Sequence, residues 1–164
     1  RLPFLFAQRN TSMLLKSGMS ALSLCAMMAV RAYAEELDPT TPRVPIDQRA
    51  AAQAMKNPLP KTPENIAKGK TIFEGKGSCH NCHGPNGKGD GQTAKFLNPS
   101  PRNFTNPAFH KNRTDGEMYW VIKNGSKGPN GTGIPTGMVP LIGTQITEEE
   151  AWYVILYERS FEGK

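Results

Sequence analysis

The sequence is poor in what a self-sufficient enzyme core is built from. Hydrophobic residues make up 37% of its 164 positions and aromatics 8%, a thin supply for a globular domain. That length bounds the chain to one domain and excludes a large multidomain enzyme. No second cysteine pair exists, since the chain holds three cysteines in all. The apolar run at 18–30 is 13 residues long, short of the roughly 20 needed to cross a bilayer. Acidic residues are missing from positions 1–34, where Arg1, Arg9, Lys16 and Arg31 stand. Glycine (16) and proline (14) are plentiful instead.

The acid-free start has the layout of an export signal. Lys16 precedes the apolar run, and Ala32-Tyr33-Ala34 places small residues where a signal peptidase reads. Residues 1–34 are expected to be a signal peptide, with Met13 as the true start and cleavage after Ala34. An uncleaved leader acting as a membrane anchor is the alternative. Without it, residues 35–164 carry 16 basic and 14 acidic side chains, so most of the +6 net charge belonged to the leader. No dense basic stripe remains, which argues against a nucleic-acid partner. The remaining chain is leaner still in apolar residues, so something besides side chains must help it fold.

Cys79-His80-Asn81-Cys82-His83 is a C-x-x-C-H sequence, the covalent haem c attachment pattern. Two thiols at this spacing reach the two vinyl groups on one porphyrin edge. The adjoining His83 then brings an imidazole nitrogen to the iron. A zinc site would need further ligands, and a Cys79–Cys82 disulfide of the redox type would follow a buried strand that is not evident here. One such motif implies one haem, with iron its only metal. Candidates for a second axial ligand are Met55, Met118, Met138, His80 and His110. Met138 is favoured, because it sits in a Gly- and Pro-rich loop able to wrap the far haem face. Met118 reads as helix packing, His80 as the variable residue between the cysteines, and Met55 as part of an arm.

Three helices are legible from their ends. Thr62-Pro63 reads as an N-cap followed by proline at the first helical position, with a helix to about Glu74. Thr114 with Glu117 and Thr147 with Glu150 are capping-box pairs. The first opens a helix closed by Asn124-Gly125, and the second opens one in which Trp152, Ile155 and Leu156 share a face. These aromatics are expected to pack helices and line haem. Residues 35–60 read as an extended arm with a helical turn at 50–55. Two long irregular stretches, 84–113 and 125–146, become reasonable if they pack on a haem. Gly87-Lys88-Gly89-Asp90-Gly91 lacks the endings of a phosphate or calcium loop and reads as a turn.

From about Asn57 onward the chain resembles a class I, mitochondrial-type monohaem c-type cytochrome domain of the bacterial kind. The matching pieces are Asn57-Pro-Leu-Pro60, Ala67-Lys-Gly-Lys70, Cys79 to His83 with Gly84, Gly87 to Gly91, Pro99-Ser-Pro-Arg102, Gly137-Met138 and Trp152 to Tyr157. The resemblance implies an all-α cytochrome c fold over 61–164, with about three to five helices and long loops around one covalent haem c. It implies His83 as proximal and Met138 as distal iron ligand. A prolyl carbonyl, from Pro99, Pro101 or Pro85, would orient His83. It further implies periplasmic electron transfer between a donor dehydrogenase or bc1-type complex and an acceptor oxidase or reductase. No group reads as an acid, base or nucleophile for a substrate, so a carrier rather than an enzyme is expected. The alternatives are the haem subunit of a periplasmic oxidoreductase complex, or a ligand-binding or peroxidatic haem protein with an open sixth site.

Overall fold

Thr62 begins the framework by turning its own side chain into a cap. Its Oγ1 accepts a hydrogen bond from the Asn65 N–H at 3.2 Å, and Pro63 occupies the first helical position. In the computed structural model, which describes residues 38–126 and 136–164, six α-helical segments follow one another. They are α1 (Ile46–Ala54), α2 (Pro63–Glu74), α3 (His80–His83), α4 (Pro107–Asn112), α5 (Asp115–Asn124) and α6 (Glu148–Arg159), with a 3-10 turn at Ala94–Phe96. The all-α expectation holds. Among the described residues the only β pairing is an isolated bridge between Ile142 and Ile146. The expected leader at 1–34, the start of the arm and part of the distal loop (127–135) lie outside the described residues.

Both capping boxes form. Thr114 accepts from the Glu117 N–H while Glu117 accepts from the Thr114 N–H, and Thr147 and Glu150 do the same at the start of α6. Glu148, Glu149 and Glu150 place three carboxylates at the positive end of the α6 dipole. Gly125 closes α5 with φ +72°, where a side chain would be strained.

Helices α2 and α6 cross so closely that only glycine fits between them. A Cβ on Gly69 would lie 2.0 Å from the Tyr153 carbonyl oxygen. Phe73, fully buried one turn on, meets the edge of Tyr157 with ring centroids 5.3 Å apart. Phe161 closes over both rings. Tyr119 of α5 stacks on Trp152 of α6 at 4.3 Å. These aromatics and their aliphatic neighbours form the hydrophobic core.

The 38–60 arm differs from its expected extended form. It carries a nine-residue helix, α1, that starts at Ile46 and ends before Met55. The helix lies on α5, where a Cβ on Gly116 would be 2.0 Å from the Ala52 carbonyl oxygen. Val44 and Ala52 are 1% exposed. Asn57 fixes the end of the arm by donating from Nδ2 to the Trp152 carbonyl at 3.1 Å. The sequence pattern understated this because the contacts that hold the arm to the rest of the domain are to distant residues.

Arg159 ties three helices together. It pairs with Asp115 of α5 at 2.8 Å, donates to the His110 Nδ1 at 3.2 Å, and donates to the carbonyls of His110 and Arg113. Since His110 Nδ1 accepts, its Nε2 carries the proton and donates to the Phe104 carbonyl. Burial chiefly, and the neighbouring Arg159 charge, hold His110 below its ordinary value of 6.5.

Two outcomes are expected. Gly69→Ala should destabilise the protein as purified by about 1–3 kcal/mol, read from thermal unfolding, and an unchanged midpoint would contradict the close crossing. On acidification the unfolded chain protonates at His110 before the folded one. That part of the stability is intact above about pH 6.5 and is lost as pH falls below it. Midpoints measured from pH 8 to 5 should drop less in His110→Gln than in wild type.

Candidate haem site

The cysteine motif is held by the end of α2. The Cys79 N–H donates to the Phe73 carbonyl at 2.9 Å, so the buried Phe73 fixes both the helix crossing and the start of α3. The next turns double back on α3. Gly89 N–H donates to the His83 carbonyl at 2.8 Å, Gly91 N–H to the Cys82 carbonyl at 3.1 Å, and Thr93 Oγ1 to the Asn81 carbonyl at 2.8 Å. Gly87 and Gly89 have φ of +69° and +76°, so 87–91 is a turn, as its composition indicated. Its role is to brace the motif.

A cleft of roughly 280 Å³ opens beside this brace, lined mainly by apolar side chains. Cys79, Cys82 and His83 line it together with Met138. The two thiols face different partners. Cys79 Sγ lies 3.5 Å from the Gly77 carbonyl and Cys82 Sγ 3.2 Å from Thr93 Oγ1. Burial pushes the Cys79 thiol up to about 12, so it is a neutral thiol at physiological pH. Among the described residues, no group of three or more His, Cys, Asp or Glu gathers as a metal cluster, and a multi-ligand zinc site therefore finds no support there.

His83 is oriented for ligation from this side. Its Nδ1 lies 3.0 Å from the Arg102 carbonyl oxygen, to which it donates. That hydrogen bond leaves Nε2 with the lone pair. Phe104 stacks against the ring at 4.4 Å. Burial pulls His83 down to about 4, against the smaller opposing effect of the Arg102 carbonyl, so the ring stays neutral and able to bind a metal. The orienting carbonyl was expected from a proline. It belongs instead to the residue after Pro101, whose own carbonyl packs against Gly89, where a Cβ would meet it at 2.4 Å.

The other histidines do not join the cleft. His110 has both ring nitrogens engaged with Phe104 and Arg159. His80 Nδ1 lies 3.4 Å from the Phe73 carbonyl, and neither residue lines the cleft. Of the methionines, Met138 and Met118 both line it, whereas Met55 packs beside Gly116 outside it. Met138 is presented by a strap. Its N–H donates to Thr136 Oγ1 at 3.2 Å, its carbonyl accepts from the Ser126 N–H at 3.0 Å, and a Cβ on Gly137 would lie 2.5 Å from Leu97. The α6 aromatics pack helices but do not line the cleft. That helix sends Val154 and Glu158 there instead.

The cleft also has a cationic side that sequence reading missed. Arg43, Arg102 and Arg113 line it, each less than a tenth exposed. Arg102 and Arg113 both donate to the Thr41 carbonyl, and Arg43 reaches Ser126 Oγ at 3.4 Å. Arg113 Nε is buried with no hydrogen-bond partner among the described residues. An apolar slot with two thiols, one metal-competent imidazole, a thioether and buried guanidiniums fits a flat macrocycle bearing carboxylates. Haem c has that chemistry. The only sequence signal for the arginines was their placement next to prolines and caps in loops, too common a setting to single them out.

Comparison with known proteins agrees. The cytochrome c family model matches residues 66–161, more than half of the chain. A chain of the Kuenenia stuttgartiensis reducing HAO-like protein complex Kustc0457/Kustc0458 is similar in structure, with a TM-score of 0.53 and 29% identity. The similarity covers 64% of this chain and 47% of that one, so the present chain spans about half of its length. No curated protein matches in sequence. The cytochrome c family carries covalently attached haem c and transfers electrons, and this chain, with its braced C-x-x-C-H turn beside an apolar cleft, belongs to that family.

Proposed function

We propose that this chain is a periplasmic single-electron carrier holding one haem c. The observation that carries the reading is the convergence of Cys79, Cys82, His83 and Met138 on one apolar cleft. Cys79 and Cys82 would form the thioethers, with His83 Nε2 and Met138 Sδ as axial ligands. When bound, the haem supplies a reversible one-electron iron couple, with sulfur ligation raising its potential.

The chain's own residues then have defined tasks. Arg102 and Phe104 hold the His83 ring in one orientation. The Ser126–Thr136–Leu97 contacts hold Met138 against the cleft. Arg43, Arg102 and Arg113 would neutralise the haem carboxylates. Val154, Ile122, Leu141 and Ile146, all buried and lining the cleft, exclude water. Phe96 (78% exposed) and Val139 (54%) stand next to cleft-lining Leu97 and Met138, an apolar rim suited to brief docking of a redox protein. The leader-like sequence of residues 1–34, ending in Ala32-Tyr33-Ala34, supports the periplasmic site. Among the described residues, no helix is long and apolar enough to cross a membrane.

A second reading is the haem subunit of a periplasmic oxidoreductase complex. It is favoured by the likeness to a chain of a reducing HAO-like protein complex, and co-purification with a catalytic partner separates it from a free carrier.

Absorption spectra of the oxidised protein test the ligand set. Wild type and Met118→Ala should show the sulfur-to-iron charge-transfer band, and Met138→Ala should lose it with a lower potential. An unchanged Met138→Ala spectrum would sink the distal assignment, and carbon monoxide binding to native ferrous protein would favour an open site. Mass spectrometry should find one covalent haem on a chain starting at Glu35. More than one haem, or none, would contradict the count.

A further inference from the structure

Helix α6 contributes an acid to an otherwise apolar stretch of the cleft wall. Glu158 is 6% exposed and lines the cleft one helical turn after Val154. Its carboxyl makes no hydrogen bond among the described residues. The other buried carboxylate at the cleft, Glu117, is by contrast fully used. Its Oε2 accepts from the Thr114 N–H and hydroxyl at 2.9 and 3.2 Å, and its Oε1 accepts from Gln53 at 3.2 Å. Glu117 is therefore a structural cap, and Glu158 has no structural task of that kind.

The charged and titratable groups around Glu158 are few. Arg159, next in α6, is committed to Asp115, His110 and the Arg113 carbonyl. Asp115 of α5 adds a repulsive charge, and Cys79 at the start of α3 faces Glu158 closely enough to feel it. Burial is the dominant influence and pushes Glu158 up to about 8, against the smaller pull of Arg159. A carboxyl in this setting changes charge near neutral pH rather than in acid.

Cys79 is one of the two thioether anchors in the proposed reading, so Glu158 sits beside the edge where the haem is attached. Ferric haem carries one more positive charge than ferrous haem, and in a site of low dielectric that charge strongly favours an ionised neighbour. Reduction removes it. We infer that Glu158 is a redox-linked proton site, taking up one proton when the haem gains an electron and releasing it when the electron leaves. The electron comes from a one-electron donor protein and the proton from solvent. On reduction one O–H bond forms at the Glu158 carboxylate, and on oxidation the same bond breaks.

This inference rests on the haem-carrier reading, and the test separates the two. The reduction potential of the haem-loaded protein is measured against pH, for wild type and Glu158→Gln. Wild type should lose potential with rising pH around neutrality, approaching a tenfold change in the electron-transfer equilibrium per pH unit, about 59 mV. Glu158→Gln should be flat over the same range, near the low-pH value of wild type. Redox-difference infrared spectra of wild type should show a protonated carboxyl carbonyl appearing on reduction, absent in the variant. A flat wild-type potential, or a slope that survives in Glu158→Gln, overturns the role of Glu158 while leaving the carrier intact. Absence of covalent haem or of any reversible couple overturns both.

Discussion

The near contact of α2 and α6 at Gly69 is the constraint on which the rest of the molecule depends. With a Cβ excluded there, the two backbones approach closely enough for Phe73 to be fully enclosed by Tyr157 and Phe161. The same Phe73 uses its carbonyl to receive the Cys79 N–H. One residue thus couples the helix crossing to the position of the thiols. The rotation of α6 that this crossing dictates sends its aromatics into the core and turns Val154 and Glu158 toward the cleft.

Around this framework, polar groups are used sparingly and each has a local reason. Neutral His83 owes its orientation to a backbone carbonyl, a group that cannot be lost by side-chain mutation. Two of the three arginines at the cleft, Arg102 and Arg113, meet on the Thr41 carbonyl, which belongs to the arm. The arm is therefore part of the cleft's enclosure, and it is held there by α5 and by Asn57 on α6.

Much of this was legible in the sequence where the decisive contacts are local. Thr62, Thr114 and Thr147 announce their helices because each cap is closed within three residues. The C-x-x-C-H motif and the 87–91 turn are likewise contained in a few positions. What escaped notice depends on long-range contacts. The carbonyl facing His83 comes from Arg102, 19 positions away, in a loop whose path is set by packing against Gly89. The burial of Glu158 follows from the rotation of α6, and a glutamate near a helix end reads by default as solvated. The packing of α1 depends on Gly116, whose lack of a side chain says nothing by itself about what approaches it.

The bond from Asn57 to Trp152 joins residues 95 positions apart, and the Gly69–Tyr153 contact spans nearly as far. Closing such contacts requires most of the chain to be ordered at once. The wall of the cleft supplied by α6 thus depends on pairings across the whole domain, whereas the α2–α3 turn that presents the thiols is held by neighbours in sequence. The two sides of one cleft therefore answer to different lengths of chain.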